Sequence, residues 1–385
     1  MMKRPLSAVF SLLAVATASC SAPATGDNRS PAVSDAANQP FQTEEQASFD
    51  EPWAIAFDQG TGTLFVTERK GAIRFREPGG RLGSVTGVPK VDYGGQGGLG
   101  DFIFAPGQVS SVLDRRTVYL SWVEAGSGDT RGAVVGRADM VCEAQSSCDL
   151  RDLKVIWRQQ PKVSGRGHFS HRLVFSPDGR YLFIASGERQ KMQPAQDPAS
   201  DLGKIIRIPV DSTGNPSGPA ERYTLGHRNI LGLRFDPQGR LWELEHGPRG
   251  GDELNLVQPG ANYGWPLVSN GSHYDGTPIP DHSPDDGFAA PAISWNPVIA
   301  PGDMIFYTGD LFPQWKGNVL IAAMLPAGIV RLGIDGTAAR ELGRYPTQHR
   351  IRSIAQAPDG SIWVVEDGKG LSASRLLRLT PAGGE

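Results

Sequence analysis

Four times along the chain an apolar run, a turn carrying Asp or Gly, and a second apolar run follow one another. The segments are WAIAFDQGTGTLFVTE from Trp53, RLVFSPDGRYLFIASGE from Arg172, LGLRFDPQGRLWELEHG from Leu231 and IRSIAQAPDGSIWVVEDG from Ile351. Pro-Asp-Gly and Pro-Gln-Gly between such runs predict tight turns, because Pro presets φ at one corner and Gly accepts the positive φ that a hairpin needs. Each segment therefore predicts a β-hairpin. No window has the three-to-four-residue apolar periodicity of an amphipathic helix, and 48 Gly and 30 Pro punctuate the folded part. The predicted class is all-β. A hairpin returning at roughly forty to sixty residues predicts a β-propeller, and a folded region of this length holds about six blades. Irregular spacing implies long loops between blades, gathered at the channel mouth.

The N-terminus follows a different pattern. Lys3 and Arg4 precede an apolar stretch from Leu6 to Ala16 that is too short to span a bilayer. Thr17-Ala18-Ser19-Cys20 resembles a bacterial lipoprotein box, with Thr where Leu is usual. Residues 1–20 are expected to be a lipoprotein-type signal peptide. The expected product is exported, periplasmic and lipid-anchored to a membrane through Cys20 alone. Residues 21–48 are rich in Ala, Ser, Pro, Gln and acidic residues, a composition that buries too little apolar surface to offset its ordering entropy, so they are expected to be a disordered tether. The catalytic domain is expected over 49–385, with folded sequence starting near Pro52. With Cys20 lipidated, Cys142 and Cys148 remain, close enough to close a small loop in an oxidising compartment.

Net charge is −3 and no Lys/Arg run is sustained, so nucleic acid is not an expected partner. Zinc-protease, CxxC, nucleophile-elbow and Walker signatures are missing from the sequence. YGGQGGLGD reads as a loop whose glycines allow close approach to a ligand, with Gln96 as polar handle. In SGRGHFSHRLVF, His168 is preferred over His171 as a proton acceptor because it lies in the Gly-flanked loop, whereas His171 abuts the apolar run. Arg228 and Asn229 stand at a strand edge, and Arg350 and Arg352, two apart on a strand, share a face. That pair is either a carboxylate clamp or a solvated stripe. EHGPRGGDELN combines carboxylates with a Gly/Pro backbone and no thiol, which suits calcium or else a plain acidic loop.

GQGGLGD, GHFSHRLVF, LFIASGER, GHRN, EHGPRGGDELN, NYGWP, YTGD and RIRSI occur in this order. Together they resemble the bacterial aldose sugar dehydrogenases of the glucose/sorbosone dehydrogenase family, which use pyrroloquinoline quinone (PQQ), from about Pro52 to the C-terminus. The resemblance implies a six-bladed propeller with PQQ in a polar cleft on its top face. It implies oxidation of an aldose at C1 to a lactone, with His168 taking the hydroxyl proton, hydride passing to C5 of PQQ, and Arg228 assisting calcium at the quinone carbonyl. Gln96, Arg228, Asn229, Tyr274, Arg350 and Arg352 match cofactor-contacting positions. The carbonyls of Gly247 and Pro248 resemble ligands of the calcium that touches PQQ, while Glu253 and Tyr263 resemble ligands of a further, structural Ca2+. Glu188 stands where related glucose enzymes carry an acidic residue on the substrate side. Two departures stand out: MLPAG, with Pro326 or Ala327, replaces a lysine, and the Cys142 to Cys148 segment looks inserted. The implied partners are an aldose and an electron acceptor that no motif identifies. Propellers also serve as calcium-dependent lactonases and as surface-anchored binding modules, so the fold alone leaves those two alternatives.

Overall fold

The computed structural model describes residues 39–144, 146–368 and 374–383. The expected signal peptide, Cys20 and the tether up to residue 38 lie outside the described residues. The described chain is built from strands in six four-stranded blades. Blade 1 holds Pro52–Phe57, Leu64–Glu68, Ala72–Arg76 and Leu82–Thr86, and blade 2 holds Leu99–Phe104, Arg115–Ala125, Arg131–Ala144 and Ser147–Arg158. Blade 3 holds Ser170–Phe175, Tyr181–Ser186, Lys204–Pro209 and Glu221–Leu225. Blade 4 holds Ile230–Phe235, Leu241–Glu245, Asp252–Leu256 and Ile293–Trp295. Blade 5 holds Pro301–Phe306, Val319–Met324, Ala327–Asp335 and Ala338–Pro346. Blade 6 joins Ile351–Gln356, Ile362–Glu366 and Arg375–Pro381 to the N-terminal strand Phe41–Ser48.

All four sequence-predicted hairpins are present, as the first two strands of blades 1, 3, 4 and 6. At three of their turns Gly179, Gly239 and Gly360 take φ of +69°, +78° and +82°, a region that costs other residues a steric clash. The tether boundary needs correction. Phe41–Ser48, expected to be disordered, pairs antiparallel with Arg375–Pro381 and completes blade 6 from the other end of the chain. Its polar composition hides this because the strand lies at a sheet edge, where only Phe41 and a few neighbours need to be apolar.

The hydrophobic core is divided among the interfaces between blades. One buried cluster lies between each neighbouring pair, for example Phe65, Leu120 and Val134 between blades 1 and 2, and Tyr307, Leu320 and Ile351 between blades 5 and 6. Packing of flat sheets around a ring leaves the first strand of each blade nearest the axis, and these strands contact their neighbours all the way round. Each of them carries a bulge near its start, at Pro52/Ala54, Leu99/Phe102, Ser170/Leu173, Ile230/Gly232, Pro301/Asp303 and Ile351/Ser353. A bulge re-aims the extra residue away from the pleat. Here that device supplies the site.

Candidate functional site

A cleft of about 210 Å³, open to solvent, lies where the bulged strands begin. Four of the residues that the bulges displace, Trp53, His171, Leu231 and Arg352, line it. Arg172, outside the cleft lining, is a fully buried guanidinium stacked 4.1 Å over the Trp53 ring. It lies 3.4 Å from Asp101 and 3.3 Å from Asp303, and donates to the Leu231 and Gly302 carbonyls at 2.7 Å each. One side chain thus ties five blades together at the axis.

The cleft gathers Gln96, His168, Arg228, Asn229, Tyr274, Arg350 and Arg352 from five loops far apart in sequence. Gln96 accepts a 2.7 Å hydrogen bond from the His168 backbone N–H. Its loop packs as closely as the glycines suggested, since a Cβ on Gly95 would lie 2.5 Å from the Arg166 carbonyl. Asn229 accepts from Ser170 N–H at 3.2 Å, linking the Arg228 turn to the His168 loop. His168 has φ of +48°, a left-handed conformation for a non-glycine residue that points to local constraint at the site.

The second ring nitrogen matters for the chemistry. Nδ1 of His168 is hydrogen-bonded to Glu188 Oε1, so Nε2 is the nitrogen left to the cleft. Burial lowers the His168 pKa, and the Arg228 charge adds to this, although Glu188 opposes it. Burial pushes the Glu188 carboxyl up, but the His168 hydrogen bond and charge and the Met192 N–H bring it net below the ordinary carboxylate value. A carboxylate on Nδ1 selects the tautomer whose Nε2 is a free base. Glu188 was expected on the substrate side. It is instead fully buried behind His168, its other oxygen accepting from Met192 N–H at 2.6 Å. His171, also fully enclosed, is pushed down to about 3 by burial and nearby arginines.

Arginine dominates the cleft's charge: Arg69, Arg228, Arg350 and Arg352 line it, and no Asp or Glu does among the described residues. Arg350 lies 2.6 Å and Arg352 3.6 Å from one carboxylate, Asp367. Burial pulls Arg352 down to about 10, which still leaves it charged at neutral pH. Arg228 donates to the His246 carbonyl and the Tyr274 hydroxyl at 3.1 Å each and lies 5.2 Å from the Trp265 ring and 5.8 Å from the Tyr274 ring. Its buried Nε has no partner. An orphaned guanidinium nitrogen in a cationic cleft fits an anionic ligand, and burying a multiply charged carboxylate requires such compensation. The residues therefore fit PQQ.

A cavity of about 10 Å³ adjoins the cleft, with Arg228 and His246 lining both. Gly247, Glu245, Glu253, Tyr263 and Ser269 line it too, whereas Pro248 does not. Asp252, beside them in sequence, is committed elsewhere: it accepts from Gly247, Ile299 and Ala300 N–H groups at 2.9, 2.8 and 2.6 Å. Burial and the neighbouring Glu245 and Glu243 charges push Glu253 well above its ordinary value. A buried pocket that offers the Glu253 carboxyl and main-chain oxygens of Gly247 and Tyr263 suits a hard cation, so these three fit calcium. The Tyr263 hydroxyl donates to the Leu256 carbonyl at 2.8 Å and accepts from Gln258 N–H at 2.9 Å, which leaves its main-chain carbonyl as the ligand it could offer.

Arg69, Trp53, His246 and Met324 also line the cleft and were not singled out from sequence. Met324 stands in MLPAG, where a lysine was missed, and its sulfur lies 3.3 Å from the Arg350 guanidinium. Position in a strand-end apolar run gives such residues no local signal.

The sequence profile described as Glucose / Sorbosone dehydrogenase matches residues 49–378. The chain is 36% identical over 350 residues to the aldose sugar dehydrogenase YliI of Escherichia coli (strain K12), covering 87% of this chain and 91% of that one. Its fold is similar to the apo-form crystal structure of the soluble E. coli aldose sugar dehydrogenase, with a TM-score of 0.78, 34% identity, and coverage of 89% and 100% of the two chains. It is also similar to the PQQ-bound aldose sugar dehydrogenase of Streptomyces coelicolor, with a TM-score of 0.67, 25% identity, and coverage of 88% and 98%.

Proposed function

Because this chain belongs to the glucose/sorbosone dehydrogenase family, a family of sugar dehydrogenases, we propose that it oxidises aldoses at C1 to lactones with PQQ and Ca2+ as cofactors. The observation that carries this reading is the convergence of Arg228, Arg350 and Arg352 with the His168 imidazole in one acid-free cleft. When bound, PQQ supplies the electrophilic carbon that takes the hydride, and calcium supplies Lewis acidity at its carbonyl.

The protein's own residues do the rest. Arg228, Arg350 and Arg352 hold the cofactor's carboxylates, as bidentate guanidinium donors do. Gln96, Asn229 and Tyr274 fix its orientation through polar contacts at the rim and wall. The Gly247 carbonyl would hold the calcium that meets the cofactor, and Glu253 with the Tyr263 carbonyl a further, structural calcium; Pro248, the other expected ligand, lies outside the cavity lining. Nε2 of His168 takes the C1 hydroxyl proton, and Glu188 holds the ring in the tautomer that can accept it and stabilises the imidazolium that results. Trp53 and the enclosed His171 close the cleft floor against water.

The acid-free lining counts against a lactonase, whose central cation would need converging carboxylates. Export to the periplasm with a lipid on Cys20 belongs to the same proposal, and the Cys142–Cys148 disulfide in blade 2 supports an oxidising compartment. The electron acceptor remains a further partner of unassigned identity. The test is reconstitution of purified apoprotein with PQQ and calcium, followed by dye reduction with a panel of aldoses. Sugar-dependent reduction that requires PQQ supports the reading. Lactone hydrolysis without PQQ, or inactivity with every sugar, overturns it.

A further inference from the structure

Behind the wall of the cleft that carries Arg228, His227 and Glu243 are fully buried and Glu245 nearly so. His227 Nδ1 lies 3.6 Å from Glu243 Oε1 and 3.5 Å from Glu245 Oε1, and one donor atom from each of the three residues lies within 4.8 Å of the others. Nδ1 of His227 and Oε2 of Glu243 have no hydrogen-bond partner. These separations are too long for good hydrogen bonds. They match the edges of a small coordination polyhedron: ligands held about 2.1 Å from a tetrahedral zinc-class ion are separated by about 3.4 Å.

We propose that His227, Glu243 and Glu245 form a buried site for a zinc-class divalent cation, separate from the calcium positions implied at Gly247, Pro248, Glu253 and Tyr263. An imidazole nitrogen among carboxylate oxygens selects borderline ions over calcium, which takes oxygen alone. Two carboxylates, a neutral imidazole and a dication also sum to zero charge, which suits complete burial.

Outer contacts already orient every ligand. Thr224 Oγ1 lies 2.8 Å from His227 Nε2, which leaves Nδ1 for the ion once Nε2 carries the proton. The Tyr263 ring stacks on the imidazole at 4.5 Å. Asn255 donates to Glu243 Oε1 at 2.6 Å. Glu245 Oε2 accepts from Arg228 and Asn229 N–H at 2.6 and 3.2 Å, so its Oε1 is left for the metal. Through this last contact the ion would brace the Arg228–Asn229 turn of the cleft.

The occupant that competes for this gap is a proton on Nδ1, making an imidazolium between two glutamates. Metal analysis separates the two without any assay of sugar oxidation, so its outcome is independent of the proposed activity. The full chain, purified without PQQ and equilibrated with Zn2+ and excess Ca2+, is expected to retain about one zinc per chain after desalting. Co2+ loaded in its place is expected to give the intense visible ligand-field band of a tetrahedral site. Glu243→Gln is expected to lose both while keeping the wild-type circular dichroism spectrum. Should that variant fail to fold, the wild-type cobalt band and the ¹⁵N shift of the His227 ring decide. Retention of calcium alone, zinc retained equally by the folded Glu243→Gln variant, no cobalt band, or an Nδ1 proton persisting in the zinc-equilibrated protein each overturns the site.

Discussion

His168 works through what surrounds it. Its burial, the Gln96 contact to its N–H and the Glu188 contact to its ring leave one nitrogen available and unprotonated. His168→Gln is expected to bind PQQ and lose about 10²- to 10⁴-fold in kcat, measured by dye reduction. Because burial depresses the His168 pKa, the base form persists as pH falls, and the acid limb of kcat/KM should lie below the 6.5 ordinary for imidazole. Glu188 raises that pKa, so Glu188→Gln should move the limb further down while lowering kcat about tenfold or more. An acid limb that moves upward in this variant would contradict the assignment. Residues inside compact motifs, such as His168, Gln96 and Arg228, were legible in the sequence because loop glycines and paired polar residues mark them. Trp53, His246 and Met324 were not, since each sits at a strand end whose bulge or turn decides where it points. Glu188 was recognised but misplaced, because a buried and a substrate-facing carboxylate look the same in one dimension.

At the scale of elements, Pro-x-Gly turns made three hairpins readable, and the Asp58–Gly62 turn the fourth. Blades 2 and 5 have neither kind of turn between their first strands and were seen only once folded. Their long, irregular connections carry no comparable signal. The Cys142–Cys148 disulfide closes the tip of the long hairpin in blade 2, and beside it Ser147–Asp149 runs parallel to Ser84–Thr86. That pairing fuses blades 1 and 2 into one eight-stranded sheet. The same pairing clasps the outer edges of two blades, and Cys148 packs in their shared core beside Val85. Replacing both cysteines by serine should lower stability by about 2 kcal/mol, the loop-closure contribution of so short a ring. Thermal unfolding with and without reductant checks this, and a wild-type midpoint insensitive to reduction would contradict it.

For the whole molecule, closure and charge convergence are the two properties that matter. The ring is shut by the strand Phe41–Ser48, whose Phe41 packs edge-on against Trp315 and Tyr345 in the cluster between blades 5 and 6. Phe41→Ala should cost about 3–5 kcal/mol in chemical denaturation. A loss under about 0.5 kcal/mol would mean that the first strand is dispensable. The class and blade number could be read from hairpin spacing, but this closure could not, because an edge strand far from its partner in sequence leaves only a polar, tether-like composition.

The central claim is that arginines from blades 4 and 6 hold a carboxylated quinone beside a buried imidazole poised to take a sugar's proton. Anaerobic stopped-flow mixing of an aldose that supports dye reduction with protein loaded with PQQ and calcium tests it most directly. Wild-type protein should bleach the oxidised cofactor in a single rapid turnover, and His168→Gln should bind the same amount of cofactor yet react at least about a hundredfold more slowly. Equal rates in the two proteins, or no cofactor bound by the wild type, would contradict the account.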